Sequence, residues 1–183
     1  YQTKGSARDI VQVYANGGIA LLICIFDFIQ PNAINFFLFL ASISAAMSDT
    51  WATEIGKISK KRPISIVSFI PMDHGLSGGI TRIGIIGSLL GSSLFGFTIW
   101  CVIPMPPFIV YGIILCGFAG SVFDSILGAT IQAKYETQTG EIIESDQDGA
   151  VFISGISWVN NDMVNLMNTV FAPILIYFYL KLL

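Results

Sequence analysis

The chain has 183 residues, 54% hydrophobic and only 11% charged, with a mean hydropathy of +0.73. Soluble domains carry roughly 25% charged residues, so this composition excludes an ordinary soluble domain and places the chain in a membrane. The net charge of −3 resides in short loops and leaves no basic surface of the kind that binds nucleic acid. His74 is the single histidine, and Cys24, Cys101 and Cys116 stand alone inside apolar runs. A His-rich metal site, a zinc site and a disulfide framework are therefore excluded as well.

Five apolar segments approach the roughly 20 residues that a bilayer crossing requires. They are 10–26, 32–55, 79–103, 107–133 and 159–183. The predicted fold class is all-α, a polytopic transmembrane helix bundle of about five spans, with residues 1–183 as a single transmembrane domain. The chain opens at Tyr1 without a signal-peptide pattern. It is expected to be a piece of a longer protein with earlier spans upstream. Orientation follows from the Lys and Arg residues. Lys4 and Arg8 precede the first span; Lys57, Lys60, Lys61 and Arg62 follow the second. Arg82 opens the third, and Lys134 closes the fourth. The opposite loops, 27–32 and 104–107, have none. The N-terminus of the chain is expected in the cytoplasm and the C-terminus outside, despite Lys181.

That orientation gathers the unusual residues at one mouth. Arg8, Gln12 and Asn16 make a polar stripe at spacing four on the first span. The second span ends in Ser48-Asp49-Thr50-Trp51-Ala52-Thr53-Glu54-Ile55-Gly56-Lys57, where Asp49, Thr53, Gly56 and Lys57 share a helical face. An acid within a span is by default a functional-site candidate; the plain alternative is a carboxylate that pairs with Lys57 and only locks helices together. Ser77-Gly78-Gly79-Ile80-Thr81-Arg82 begins the third span. Ser77 is expected as a cap, the glycines allow close backbone approach, and the free N–H groups of such a helix start bind phosphate. Asp124 and Ser125 lie on the fourth span; Asn161, Asp162 and Asn165 begin the fifth. Three acids suit a hard cation, and Mg²⁺ takes one or two carboxylates, waters and substrate phosphates. The alternative for each acid is interhelical glue. Residues 135–149 read as an acidic cytoplasmic hairpin of two short strands around Thr139-Gly140, facing water.

These motifs, from Arg8-Asp9-Ile10-Val11-Gln12 through Ser48-Asp49-Thr50-Trp51, Ser77-Gly78-Gly79, Gly120-Ser121 with Asp124-Ser125 and Gly128-Ala129-Thr130, to Asn161-Asp162 with Val164-Asn165, together resemble the domain-of-unknown-function-92 integral membrane family. That family includes transmembrane protein 19 and the phytyl-phosphate kinases of plants and cyanobacteria. The resemblance implies transfer of the terminal phosphate of CTP or another NTP to an isoprenoid monophosphate at a cytoplasm-facing, Mg²⁺-dependent site. The order of the motifs also looks like that of dolichol kinases and phosphatidate cytidylyltransferases. The acidic hairpin departs from bacterial relatives with cysteine pairs there, so no metal role is carried over to it.

On this reading Asp49, Lys57 and Asp124 are catalytic, and Asp49, Asp124 and Asp162 hold the metal. Thr53, Ser77, Gly78, Gly79, Thr81 and Arg82 bind nucleotide phosphates; Gln12, Asn16, Asn161 and Asn165 position the substrate. The rivals are a nucleotidyl transferase of the phosphatidate cytidylyltransferase type and a non-enzymatic transporter or lipid-binding membrane protein. The sequence shows no inverted repeat of the kind common in transporters. The expected partners are the lipid bilayer, an isoprenoid monophosphate and the nucleotide, and no oligomeric state is implied.

Overall fold

A computed structural model describes residues 10–183; Lys4 and Arg8 lie outside the described residues. Among the described residues there are five helices: α1 (Ile10–Ile29), α2 (Ala33–Gly56), α3 (Arg82–Val102), α4 (Pro107–Thr130) and α5 (Asn161–Leu182). Each is long and apolar enough to cross a bilayer, and each begins and ends within three residues of a predicted span. This is an all-α, multi-pass membrane bundle.

The α2 helix packs against all four others. A helix in that position exposes little to lipid, so its polar atoms need partners inside the bundle. Three serines supply them. Ser42 Oγ donates to the Thr169 carbonyl of α5 at 3.0 Å, Ser44 Oγ to the Ile113 carbonyl of α4 at 3.2 Å, and Ser48 Oγ to the Ser88 carbonyl of α3 at 2.9 Å. The first bond answers a defect in α5. Pro173 is buried inside that helix and has no N–H to give the carbonyl four residues earlier. That carbonyl belongs to Thr169, and Ser42 fills the gap. Small residues bring the backbones within reach: Gly87 lies against the Trp51 carbonyl, and Gly117 against Ser44.

Two small sheets sit between the helices. β1 (Ile64–Ser65) pairs antiparallel with β2 (Gly79–Ile80) in the α2–α3 connection. β3 (Lys134–Glu136) pairs with both β4 (Ile142–Ile143) and β5 (Val151–Ser154), in the order β4-β3-β5, between α4 and α5. The hairpin turn falls at Thr137–Gly140 as the sequence suggests, with Gly140 at φ +81° and its N–H on the Thr137 carbonyl. Its base is closed just outside α4 and α5, by Ala133 N–H on the Val159 carbonyl and Ile156 N–H on the Ile131 carbonyl.

Ser42→Ala is expected to lower stability by about 0.6 kcal/mol, the average of one interhelical hydrogen bond in a membrane bundle. In a Pro173→Ala background the same change should cost close to nothing, because the substituted residue regains an N–H that can bond the Thr169 carbonyl itself. A double-mutant cycle on thermal unfolding in detergent measures the difference.

Candidate functional site

The polar ends of the helices surround a cleft of about 1730 Å³, larger than the roughly 300–1,000 Å³ typical of one small-ligand pocket. Asp49, Thr53, Gly56 and Lys57 all line it, so the helical face read from their spacing is one face of the cleft. Asp49 accepts a long hydrogen bond of 3.4 Å from Ser121 Oγ of α4. One turn further along α4, Asp124 and Ser125 also line the cleft. Asn161 and Asp162 enter from the first turn of α5, where Asn160 Oδ1 caps the helix by accepting the Met163 N–H at 3.0 Å. Gln12 enters from α1.

The Ser77-Gly78-Gly79 stretch is built differently from the expectation. Gly79 and Ile80 are extended and paired with β1, so α3 starts later, and Thr81 rather than Ser77 is its cap: Thr81 Oγ1 accepts the Gly84 N–H at 3.0 Å. Leu76–Gly79 is a turn, with Gly79 N–H on the Leu76 carbonyl and Gly78 at φ +82°. A positive φ at that position of a tight turn calls for glycine. The turn rests on the end of α4. A side chain at Gly78 would run into the Ala129 backbone, and one at Gly128 would lie 2.8 Å from Ser77 Cβ. Close approach of a loop to a helix end thus fixes where Ser77 points.

Ser77 points at the hairpin. Its N–H donates to Glu144 Oε1 at 2.6 Å and its hydroxyl to Glu144 Oε2 at 2.7 Å. Gln132 Nε2 donates to the same Oε2 at 2.8 Å and to Ser77 Oγ at 3.0 Å. Burial pushes the Glu144 carboxyl above its usual range, against the opposing pull of the Ser77 and Gln132 donors and the Lys134 charge. The hairpin is therefore not a purely solvated element, because one of its acids is folded into the site.

The cleft is strongly acidic. Asp49, Asp124, Glu144, Asp146 and Asp162 line it, against Lys57 and His74. The charges of Asp49 and Glu144 both bear on Asp124. Asp124 Oδ2 and Asp162 Oδ1 are buried and have no hydrogen-bond partner among the described residues. A buried carboxylate oxygen without a donor is costly unless a cation or a proton answers it. Among the described residues no three His, Cys, Asp or Glu side chains come together as a metal cage. The donor chemistry that remains, one or two carboxylates with room for water and phosphate, is the kind Mg²⁺ uses.

The expected positive charge is placed elsewhere. Lys57 reaches the cleft, but it pairs with Glu54 at 2.7 Å in an exposed i,i+3 bridge and not with Asp49. Arg82 is exposed on α3 and does not line the cleft. Asn165 is buried between helices, and Asn16 donates to the Gln12 carbonyl at 3.0 Å; neither lines the cleft.

The model of the family described as integral membrane protein DUF92 matches residues 1–173. The chain belongs to this family. It is 26% identical over 207 residues to Protein PGR of Arabidopsis thaliana, covering 94% of this chain and 69% of that one. It is 29% identical over 175 residues to an uncharacterized membrane protein of Methanocaldococcus jannaschii, covering 93% and 61%. Protein VTE6, chloroplastic, of Arabidopsis thaliana is 27% identical over 132 residues, covering 71% of this chain and 33% of its own length. The chain thus spans about two thirds or less of these DUF92 relatives. No solved structure matches.

Glu144 is the residue that sequence reasoning left facing water; Gln132 falls at the mouth in that reading, beside Asp124 and Ser125, but without a role. The usable signal was tether length: a strand pair tied to α4 and α5 at its base cannot carry its acids far from the mouth. Gly78→Ala is expected to destabilise the chain by about 2–4 kcal/mol, from the left-handed φ and the collision with Ala129 together. Thermal unfolding in detergent checks it, with Gly75→Ala as the control at a positive φ where the space is open.

Proposed function

We propose that the chain carries the phosphotransferase site of a CTP-dependent, phytyl-phosphate-kinase-like membrane enzyme, which converts an isoprenoid monophosphate to its diphosphate at the cytoplasmic face. One observation carries this reading. Half-buried acids from α2, α4 and α5 meet a tight glycine turn at one acidic cleft, with a buried carboxylate oxygen of Asp124 and one of Asp162 left without donors among the described residues. Structural glue would have paired those oxygens. A site that takes a cation together with phosphates leaves them available.

Asp49 and Asp124 are the residues that would hold Mg²⁺, with Asp162 facing the same cleft from α5, and the chemistry the ion would supply there is to neutralise phosphate oxygens. Five acids facing one lysine keep free anions out, so the nucleotide is admitted with its cation and not alone. Ser77, Gly78, Gly79 and Thr53 border the space for the nucleotide phosphates, with Lys57 at the rim. Asn161 and Gln12 face the same space and orient the acceptor. Ile85 of α3 and Phe118 and Val122 of α4 are apolar residues lining the cleft. They give the isoprenoid tail an apolar path between two helices that close on each other only further along, at Gly96 against Ile114. In the reaction an oxygen of the acceptor phosphate bonds to the γ-phosphorus of CTP, the bond to the bridging oxygen breaks, and CDP leaves. The acceptor is already ionised, so no general base is needed, and positioning with charge neutralisation suffices.

Purified full-length protein, incubated with γ-labelled CTP, Mg²⁺ and phytyl, geranylgeranyl or farnesyl monophosphate, is expected to yield labelled lipid diphosphate and CDP. Release of pyrophosphate would assign a nucleotidyl transferase instead. Asp49→Asn and Asp124→Asn should each lower turnover by about 100-fold or more, the scale of losing a transition-state charge partner, with unfolding temperatures near wild type. Arg82→Ala should stay within about 2-fold, since the guanidinium lies outside the cleft. Wild-type turnover in Asp49→Asn would remove this site from the mechanism.

A further inference from the structure

Glu144 occupies the Ser77 turn in a particular way. Three donors converge on its two oxygens: the Ser77 N–H, the Ser77 hydroxyl and the Gln132 amide. Two belong to a turn whose geometry is fixed by Gly78 and by its seat on Gly128 and Ala129. The third is on a side chain only 1% exposed. A backbone N–H beside a hydroxyl and an amide N–H is a general receptor for tetrahedral oxyanions as well as for carboxylates.

The occupant is a carboxylate drawn into an already acidic cleft, where the Lys134 charge favours it and burial does not. Glu144 sits with Asp49 and Asp124 in one cleft and bears directly on Asp124. A carboxylate tied down only to close a loop gains nothing from lying near Asp124. The rest of the hairpin is held at its base, through Ala133 and Ile156, while its far strand β4 is an edge of the sheet and pairs only with β3. The Glu144 end can leave while the base stays anchored.

We infer that the Ser77–Gln132 donor set is an oxyanion site for a phosphate group of the substrate, and that Glu144 is its internal occupant, displaced when the phosphate binds. The hairpin then works as a self-inhibitory plug whose release also removes one negative charge from the cleft. The inference rests on the phosphotransferase reading only for the identity of the anion. Because a docked plug competes with ligand, apparent affinity is lowered by the fraction of time that the site is open.

The test uses the full chain in nanodiscs with inorganic pyrophosphate and Mg²⁺. It reads binding by calorimetry and backbone hydrogen exchange over residues 134–154. Pyrophosphate is expected to speed exchange of the β4 amides while those at the base stay protected. Glu144→Asp keeps the charge but is one methylene too short to span both Ser77 donors. It should tighten pyrophosphate binding roughly tenfold, as for a site that is open about a tenth of the time in the wild type. Glu144→Gln is the second variant, for the case that the shorter acid disturbs the hairpin. Ser77→Ala should weaken binding in both the wild-type and the Glu144→Asp backgrounds. If Glu144 is only a loop staple, exchange is unchanged by pyrophosphate and Glu144→Asp binds as the wild type does; either result overturns the inference. Where Glu144→Asp keeps the wild-type exchange pattern at the hairpin base, binding tightened by Glu144→Gln but not by Glu144→Asp reports bulk charge alone and overturns it too. Repeating the exchange with CTP and with farnesyl monophosphate tells which phosphate displaces the plug, and release by neither overturns it. Hairpin release without phosphoryl transfer would remove the kinase reading and leave this inference standing. Transfer without release would do the reverse.

Discussion

A bilayer offers no hydrogen bonds, and that constraint falls hardest on α2, the helix in contact with the other four. Its inner length is built from small residues whose few polar atoms each meet a carbonyl on a neighbour: Ser42 on α5, Ser44 on α4, Ser48 on α3. Individually such bonds contribute about 0.6 kcal/mol in membrane bundles. Together they fix the rotation of α2, since a turn about its axis would break all three. The residue after Ser48 is Asp49. The same rotation that satisfies the serines therefore aims the carboxylate at the cleft.

The balance is different at the mouth. The α2 serines up to Ser48 each have a partner carbonyl; at the mouth Asp124 and Asp162 keep oxygens without donors among the described residues. Asn168 does the same deeper down, buried against Gly120 with neither amide atom partnered among the described residues. Local departures from satisfaction are where function is usually stored, because the stability given up there must be returned by a ligand. The soluble connections serve this arrangement. The α2–α3 connection delivers the Ser77 turn, the α4–α5 connection delivers Glu144, and both reach the cleft because glycine lets backbone lie against the end of α4.

Composition alone made the bundle legible, since runs of about 20 apolar residues have few alternatives. The gathering of acids was legible too, because helix direction alternates and puts Asp49, Asp124 and Asp162 at the same end. Side-chain direction was harder. Arg82 follows the glycine motif in sequence yet faces out, because the two-residue pairing of β2 with β1 delays the helix start and moves the cap to Thr81. Asn165 lies one turn below Asp162 and points between helices. Lys57 is drawn to Glu54 three residues back, a local partner that wins over the more distant Asp49. The Ser42–Thr169 bond could have been read from Pro173, which announces an orphan carbonyl four residues earlier; its partner, 127 residues away in the chain, could not. Glu144 was hidden for the same reason, since its value lies in a contact across 67 residues.

The central claim is that the acids of this cleft hold a divalent cation together with a nucleotide phosphate. Electron paramagnetic resonance of Mn²⁺, used in place of Mg²⁺ and added with CTP to the full chain in nanodiscs, tests it most directly. The account predicts a protein-bound Mn²⁺ signal with ³¹P hyperfine coupling from the nucleotide, lost in a doubly substituted Asp49→Asn, Asp124→Asn chain that still folds. A wild-type spectrum identical to that of Mn²⁺ and CTP free in solution would contradict it.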